Sequence, residues 1–398
     1  MDVNLDDVKF TQNSDFVISK EQIINPQGNT VKTLDGNDKI NSIGFNILNL
    51  GEINTGKGND QIIALSQARG GAVFGILNSS NFDSVIRTGQ GDDIVRGFAT
   101  FEENLGSSDF ATGDGIYSQK SAQILTGQGD DTVEGVANII GPNRTTATGI
   151  RLDNGGILKT AKGNDTVSGS AYSIAANDVR AEGIRNIRAN TQTGSGNDII
   201  TGEAYGSSGN KAQTWGIHNL EGSISTGRGN DKISGSAITT GTASIANTRG
   251  IDNTKGFIST GNGDDLVFGE AKGITNDSFG ILGGTINTGR GNDKVIGNVI
   301  DGNVSNGLGG GVNIELGDGN DILTGFGNAT ADGGRGIDEL KFAGLNSSDF
   351  SISLGSSGSD SINFNLLADG TVMSTENFEI FSFDNGTFSF SEMASMNV

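Results

Sequence analysis

The chain of 398 residues contains no cysteine, only two prolines, one tryptophan and one histidine. The absence of cysteine excludes a disulfide framework, so packing, hydrogen bonds or a metal must stabilise the fold. No stretch approaches the roughly 18 consecutive apolar residues of a membrane-spanning helix. The N-terminus is acidic where a secretory signal peptide would be basic and then apolar. We therefore expect no transmembrane segment, and either a cytosolic protein or export by a route that does not read the N-terminus.

Basic residues are also scarce, with 26 Lys and Arg against 47 Asp and Glu and a net charge of −21. This balance makes nucleic acid and anionic lipid surfaces unsuitable partners. Glycine is abundant at 65 residues, whereas aromatic residues make up only 6%. Without a collagen-like period, this composition indicates an array of β-strands with many turns.

A short acidic turn, close to Thr-Gly-x-Gly-Asn/Asp-Asp, recurs ten times. The aspartates that close the turns are Asp38, Asp60, Asp93, Asp131, Asp165, Asp198, Asp231, Asp265, Asp293 and Asp321. They follow one another at steps of 22 to 38 residues, most often 33 or 34. A period in this range is typical of the coils of a solenoid. Glycines allow the turn its positive φ angles, and Asn and Asp bond to nearby amides, so each copy predicts a corner.

Three apolar patterns accompany each corner. The first is Asp-x-aliphatic-x-Gly-x-Ala directly after the turn, the second is a Gly-Ile pair, and the third is an apolar residue two before the Thr of the next turn. These patterns predict three short strands per coil and three buried columns of aliphatic residues. Extra residues collect after the first strand, which predicts projecting loops at 98–113, 137–148 and 237–248.

The fold expected is therefore an all-β, single-stranded parallel β-helix of about ten coils, right-handed by the usual preference. Residues 33–325 are expected to form the coils. Residues 1–32 lack the turn and are expected to cap the N-terminal end, and the phenylalanine-rich residues 326–398 to form a C-terminal β cap.

Stacking would place the corner aspartates about 4.8 Å apart in a column. Such carboxylates repel unless a cation lies among them, and calcium prefers hard oxygen ligands in flexible geometry. The candidate calcium ligands are the ten corner aspartates together with Asp318 and Asp338. The alternative is that the Asn-Asp and Asp-Asp pairs cap a tight corner through side-chain to backbone hydrogen bonds, without an ion.

The turns resemble the repeats of RTX, or hemolysin-type, calcium-binding proteins, whose nonapeptide is Gly-Gly-x-Gly-x-Asp-x-aliphatic-x. The nearest matches are the segments 333–340 and 316–323, and the segment 376–387 is similar to the C-terminal region of that family. The resemblance, which extends to the RTX-like β-helix of some cyanobacterial enzymes, implies calcium-driven folding. It also implies type I export through a C-terminal signal in 326–398. The period of about 33 residues and the single acidic turn per coil depart from the family pattern.

A second candidate site follows the Gly-Ile pairs, where one outward column holds Arg151, Arg185, His218 and Asp252. His218 could act as a general base and Arg185 could stabilise an enolate-like charge, as a polysaccharide lyase or epimerase requires. The other interpretation is a solvated face of alternating charges. A glycan-binding module would use the same face, with Trp215 as a stacking platform.

The leading expectation is a secreted, calcium-binding β-solenoid with a structural, adhesive or surface role, and not an enzyme. Polysaccharide or cell-surface components are its expected partners. The carbohydrate-active enzyme and the glycan-binding module around His218 are the alternatives.

Overall fold

The computed structural model describes residues 2–68, 71–79, 84–102, 110–300, 306–355 and 360–396. Within these ranges the chain is a parallel β-helix built from two sheets of 14 and 24 strands, as predicted. The first strands are β1 (Val3–Asn4), β2 (Phe16–Ser19), β3 (Ile23–Asn25), β4 (Thr30–Lys32), β5 (Lys39–Gly44), β6 (Ile47–Asn49), β7 (Glu52–Asn54), β8 (Gln61–Ala68), β9 (Ala72–Ser79), β10 (Val85–Gln90), β11 (Ile94–Glu102) and β12 (Phe110–Gln119).

The central strands are β13 (Gln123–Gln128), β14 (Thr132–Ile140), β15 (Arg144–Asp153), β16 (Ile157–Lys162), β17 (Thr166–Ile174), β18 (Asp178–Ile187), β19 (Asn190–Ser195), β20 (Ile199–Ser208), β21 (Lys211–His218), β22 (Ser223–Arg228), β23 (Lys232–Gly241), β24 (Ile245–Asp252), β25 (Phe257–Asn262), β26 (Leu266–Lys272), β27 (Ser278–Leu282), β28 (Thr285–Arg290), β29 (Lys294–Ile300) and β30 (Leu308–Glu315). The C-terminal elements are β31 (Ile322–Thr324), β32 (Gly327–Asp332), β33 (Glu339–Phe342), β34 (Phe350–Leu354), β35 (Ser361–Leu366), β36 (Val372–Glu376), β37 (Ile380–Phe383), β38 (Gly386–Ser389) and a short helix α1 (Phe390–Ser395), with single 3₁₀ turns at Leu5–Asp7 and Ser347–Asp349.

Each central coil contributes three strands, which stack in register on the equivalent strands of the next coil. The strand after the acidic corner belongs to the 14-stranded sheet, called here the first sheet, and the other two belong to the 24-stranded second sheet. Between β14 and β17, for example, Gly135 pairs with Gly169 and Ala137 with Ala171. Equivalent residues therefore lie one above another along the whole stack.

The main core consists of the three predicted aliphatic columns. In one coil they are represented by Val133, Ile150 and Leu158, each of which is completely buried. Burying such a side chain contributes roughly 1.5–3 kcal/mol. Since each coil supplies three, the solenoid gains stability by addition of coils and needs no central spherical core.

The segments predicted as loops after the first strand are instead mostly strand. Strand β14 continues to Ile140, and β15 begins at Arg144. In the segment 237–248, β23 likewise continues to Gly241 and β24 begins at Ile245. Ala137, Ile139 and Ala147 pack there in a second, smaller core. The prediction was wrong because the extra residues lengthen the two strands on either side of a short turn and do not form a loop. Of the predicted loop 98–113, residues 103–109 lie outside the described ranges.

Between the two cores the walls of the coil approach each other closely. This narrow region, called here the waist, is lined by glycines such as Gly216 and Gly235. The glycine of each Gly-Ile pair lies against the backbone of the first strand in the following coil. A Cβ atom on Gly216 would lie 2.3 Å from the Ser236 nitrogen and 2.7 Å from the Gly235 carbonyl carbon. No side chain fits in that space, so the glycine is required by the close approach of two walls.

Both ends depart from the central pattern. At the N-terminus β2 already pairs with β5, so the ladder begins inside the segment 1–32. At the C-terminus β33 and β37 extend the first sheet in parallel, and β34, β35, β36 and β38 form antiparallel pairs around it. Phe342 contacts Phe364 and Phe383 at ring-centroid distances of 4.7 and 4.4 Å, which covers the last coil with aromatic side chains.

Candidate functional site

The corner aspartates form a continuous column in which each carboxylate completes the corner of the preceding coil. The backbone N–H of Asp198 donates to Oδ1 of Asp231 at 2.8 Å, and the N–H of Asp231 donates to Oδ1 of Asp265 at 2.8 Å. The same bond joins every consecutive pair of the ten corner aspartates, and the last of them, Asp321, donates to Asp338. All of these side chains are buried.

The column extends one residue further at each end than the sequence analysis found. The N–H of Asp15 donates to Oδ1 of Asp38 at 2.8 Å, and the N–H of Asp338 donates to Oε2 of Glu379 at 2.8 Å. The Asp15 carboxylate accepts from the Thr11 hydroxyl, as a corner threonine would supply. No sequence signal identified Asp15, because Thr11 precedes it by four residues where the other corners have five, and because its turn lacks the glycines.

A second ladder runs beside the first in the opposite direction. It uses the Asn or Asp that precedes each corner aspartate, and here the side chain accepts from the next coil. Asn197 Oδ1 accepts from the N–H of Asn230 at 2.8 Å, and Asn230 Oδ1 accepts from the N–H of Asp264 at 3.0 Å. These side chains are exposed. The bond to the next coil needs only an acceptor oxygen, which Asn and Asp both supply. Where the two types are neighbours in this outer ladder the amide also donates, as from Asn164 Nδ2 to Asp130 at 3.3 Å.

Asp318 lies outside both ladders, although the sequence analysis grouped it with the corner aspartates. Its side chain is 47% exposed and forms ion pairs with Arg290 at 3.5 Å and Arg335 at 3.8 Å. Exposed pairs of this kind contribute about 0–1 kcal/mol. Asp318 therefore sits on the surface of the turn.

The second carboxylate oxygen distinguishes the inner column. Oδ2 of Asp231 is buried without a hydrogen-bond partner, because the adjacent Thr226 hydroxyl donates its one proton to the Thr260 carbonyl. Burial raises the pKa of Asp231 to about 7, although the bonds to the carboxyl group act against this rise. The aspartates with the same unpartnered Oδ2 are Asp60, Asp93, Asp131, Asp165, Asp198, Asp265, Asp293, Asp321 and Asp338.

The pKa shift recurs along the column. Burial raises the pKa of Asp93 and Asp131 to about 7, and that of Asp60, Asp165 and Asp265 to about 6. Ionised neighbours in adjacent coils add to the rise. A buried carboxylate that lacks a cation is therefore costly to ionise at neutral pH.

The corner provides only part of what a calcium ion needs. Calcium takes six to eight oxygen ligands, and the orphaned Oδ2 is one buried oxygen per coil. Oδ1 and turn carbonyls such as Gln90 O, which accepts from the Gly58 N–H at 2.7 Å, are already in hydrogen bonds. Across the described ranges, no three His, Cys, Asp or Glu side chains are grouped as a metal site. The corners as they lie do not fit a calcium ion, and calcium binding stays a prediction.

The charged face lies on the second strands. Arg151, Arg185, His218 and Asp252 are register partners in successive coils, so they form one column. The residue before each Gly-Ile pair forms a neighbouring column, of which only Trp215 was predicted to take part in a site. Its members include Asp114, Glu182 and Trp215, and they lie close to the first column.

The charges of this face are paired with one another. Nε of Arg185 donates to Asp153 at 2.9 Å, and its Nη1 donates to Glu182 at 3.3 Å. Nε of Arg151 donates to the same Asp153 at 2.7 Å, and its Nη1 to Asp114 at 3.4 Å. Glu182, Asp153 and Asp114 are all buried. The two arginines and three carboxylates thus form a network that links consecutive coils.

His218 belongs to this network. Its Nδ1 lies 2.6 Å from Oε1 of Glu182. Burial alone would raise the pKa of Glu182, but the bond to His218 and the charges of Arg180 and Arg185 outweigh it and hold that pKa well below its ordinary value. Glu182 is therefore ionised and Nδ1 carries the proton, so this nitrogen is occupied as a donor.

The remaining candidates of the face have structural partners. The Trp215 ring stacks on His218 with centroids 4.9 Å apart, and these side chains are only 6% and 7% exposed. Trp215 therefore offers no open platform. Asp252 stands apart from the ion pairs and accepts from the N–H and the hydroxyl of Thr254 at 3.1 and 2.6 Å, as a turn cap.

Comparison of the chain with protein-family models, with curated proteins and with solved structures yields no match. In the part of the chain that the structure describes, no helix has the length and apolar character needed to cross a membrane.

Proposed function

We propose that the protein is an extracellular β-solenoid with a structural and adhesive role, which acts through its surface and not through turnover. The observation that carries the proposal is the pairing of its buried polar and charged side chains along the stack. His218, Arg151 and Arg185 satisfy internal partners. Side chains in this state hold coils together and are poorly placed to exchange protons with a substrate.

A buried asparagine ladder also supports a rigid scaffold. Asn186 Nδ2 donates to Asn219 Oδ1 at 2.7 Å, and Asn219 Nδ2 donates to Asn253 Oδ1 at 2.6 Å. Each of these side chains is completely buried. Hydrogen bonds between side chains of successive coils fix their register and oppose slippage of the strands.

The adhesive role is tested by co-sedimentation of the full-length protein with insoluble cell-envelope material and insoluble polysaccharide, with release of soluble product measured in the same tubes. We expect sedimentation without product. Product release that is abolished by His218→Ala would refute the proposal in favour of a lyase or epimerase.

The enzyme alternative has one observation in its favour. Trp215 Nε1 and Asp114 Oδ1 on the charged face are buried without hydrogen-bond partners, and unpaired polar atoms are more frequent at functional sites. Assays of lyase and epimerase activity on uronic-acid polymers would test it, with His218→Ala as the test variant and Asp264→Asn, in the exposed outer ladder, as the control.

Calcium binding is tested separately by isothermal titration of wild type and of Asp231→Asn. Millimolar calcium that releases heat and stabilises wild type, with a smaller effect on the variant, would establish corner sites. If calcium released no heat and did not stabilise the protein, the aspartates of the column would serve only to accept the hydrogen bonds that join the corners. Export through the type I machinery is likewise a prediction from the resemblance, tested by secretion of a reporter fused to residues 326–398.

A further inference from the structure

Two tyrosines form an exposed aromatic stack on the outer face of the first sheet. Tyr172 in β17 and Tyr205 in β20 are register partners, and their rings lie 4.8 Å apart at an angle of 10°. Tyr172 is 37% exposed, and Ile238, the next residue of the same column, is 38% exposed. Tyr205 between them is half-buried, so three consecutive coils present a partly exposed apolar row to solvent.

A polar row runs parallel to it in the same three coils. Ser170, Glu203 and Ser236 are register partners two residues before the members of the apolar row. Their side chains make no ion pair or side-chain hydrogen bond within the described ranges. The two rows line an open groove of about 320 Å³.

The groove is ordered before a ligand arrives. The Tyr205 hydroxyl lies 2.8 Å from the Thr240 hydroxyl, and the Tyr172 ring is held against Tyr205. Both strands have sheet neighbours on either side. Because these side chains are already held in place, ligand binding costs little conformational entropy in ordering them.

The chemistry of the rows favours one ligand class. A sugar ring combines an apolar C–H face, which packs on aromatic and aliphatic side chains, with hydroxyl groups that bond to carboxylate and hydroxyl oxygens. An anionic polymer would be repelled by Glu203 and by the net charge of −21. A peptide would gain no main-chain hydrogen bonds, because those of the sheet interior are already paired.

We propose that this groove binds an uncharged polysaccharide that runs along the solenoid axis, with Tyr172, Tyr205 and Ile238 as the apolar contacts and Ser170, Glu203 and Ser236 as hydroxyl partners. The repeat of the rows at the coil spacing lets consecutive sugar units occupy equivalent positions. The inference rests on the proposed adhesive function and names its ligand and its site.

Affinity electrophoresis of the full-length protein tests the groove, with hydroxyethyl cellulose, xyloglucan, laminarin and dextran as neutral probes and alginate and chitosan as charged ones. We expect wild type to be retarded by at least one neutral probe. Tyr172→Ala/Tyr205→Ala should weaken that binding about tenfold or more, and the double Phe variant should retain it. Tyr117→Ala, which removes the one other tyrosine of the chain from the second sheet, should bind as wild type.

Each outcome decides a different point. Neutral-probe binding that is unchanged in the double Ala variant overturns the site but leaves the adhesive function. If no neutral probe binds while the protein still sediments with cell envelopes, the inference fails and the proposed function stands. Binding that favours chitosan and is lost in Glu203→Gln also overturns the inference, because charge would then be the determinant. Matched melting temperatures of the variants exclude unfolding as the cause.

Discussion

Replacement of a single corner aspartate by asparagine should stabilise the solenoid at alkaline pH. In Asp231→Asn the amide oxygen still accepts the Asp198 N–H, which lies 2.8 Å from Oδ1. The new NH₂ group can donate to the Thr226 hydroxyl, whose own proton is already donated to a carbonyl. The substitution therefore keeps the corner bonds and removes a buried charge.

The expected size follows from the pKa. Burial raises the pKa of Asp231 from 3.8 to about 7, and this difference corresponds to roughly 4 kcal/mol of stability between the neutral and the ionised forms. Because neighbouring aspartates titrate together, we expect the variant to gain about 1–4 kcal/mol at pH 8. Near pH 3, below the ordinary pKa of 3.8, the carboxyl is protonated in the folded and the unfolded chain alike, so the two proteins should differ by less than about 0.5 kcal/mol.

The assay is urea unfolding in the presence of a calcium chelator, followed by circular dichroism and by Trp215 fluorescence. Coincident transitions are required before free energies are compared, since repeat arrays can unfold in parts. Asp264→Asn makes the same chemical change in the exposed outer ladder and should have an effect below about 0.5 kcal/mol. A loss of stability in Asp231→Asn at pH 8 without calcium would refute the reasoning, because the ionised carboxylate would then be favourable.

Four further predictions concern the whole chain, the waist, one turn and the charged face. Stability in chelator should be highest at about pH 4. The pKa values of the buried aspartates are raised from 3.8 to about 6 to 7, so their contribution is complete below 3.8 and is lost as the pH rises toward 7, whereas the depressed pKa of Glu182 gives a contribution that is lost as the pH falls below the ordinary value of 4.5. A melting temperature that is highest at pH 8 would contradict this. Gly216→Ala should destabilise the protein by about 3 kcal/mol or more, because the new Cβ atom would clash with backbone. Gly44 has a positive φ but open space around it, so Gly44→Ala should cost only about 1–2 kcal/mol in the same urea assay. Equal effects of the two substitutions would mean that the waist can widen. Ala161→Gly should raise the melting temperature, because Ala161 has φ of 86° where most corners have glycine; an unchanged or lower value would show that the strain is absent. Glu182→Gln should destabilise by roughly 1–3 kcal/mol, since it removes the buried negative charge that pairs with the half-buried Arg180 and Arg185. A change confined to activity would instead point to a catalytic face.

The repeated corner made the fold predictable from the sequence. Glycine, Asn and Asp at fixed positions mark a turn, and the aliphatic residues at fixed distances from it mark the strands, so both the register and the three core columns followed. The second core was missed because Ala137 and Ala147 carry little hydrophobic signal, and the variable number of residues between the corner and the Gly-Ile pair suggested a loop. In these strands, pairing with the neighbouring coils outweighs the weak propensity of the residues.

The candidate site was harder to predict. The column at the charged face was found from its spacing, but its partners Glu182 and Asp153 lie at other positions of the strand, and only the folded structure brings them together. The tyrosine groove gave no periodic signal, because Tyr172 and Tyr205 are the only aromatic pair in their column. A repeat pattern identifies what all coils share, whereas binding residues are where individual coils differ.

The oppositely directed corner ladders mean that every central coil is both donor and acceptor to each neighbour. The inner carboxylate serves the coil before it and the outer side chain serves the coil after it, so removal of one complete period, such as residues 199–231, would bring together two surfaces that already match. The number of coils can thus change without any change in the caps that cover the two ends of the solenoid. Duplication or deletion of whole units could lengthen or shorten such a protein while its termini stay unchanged, which makes its reach an adjustable property.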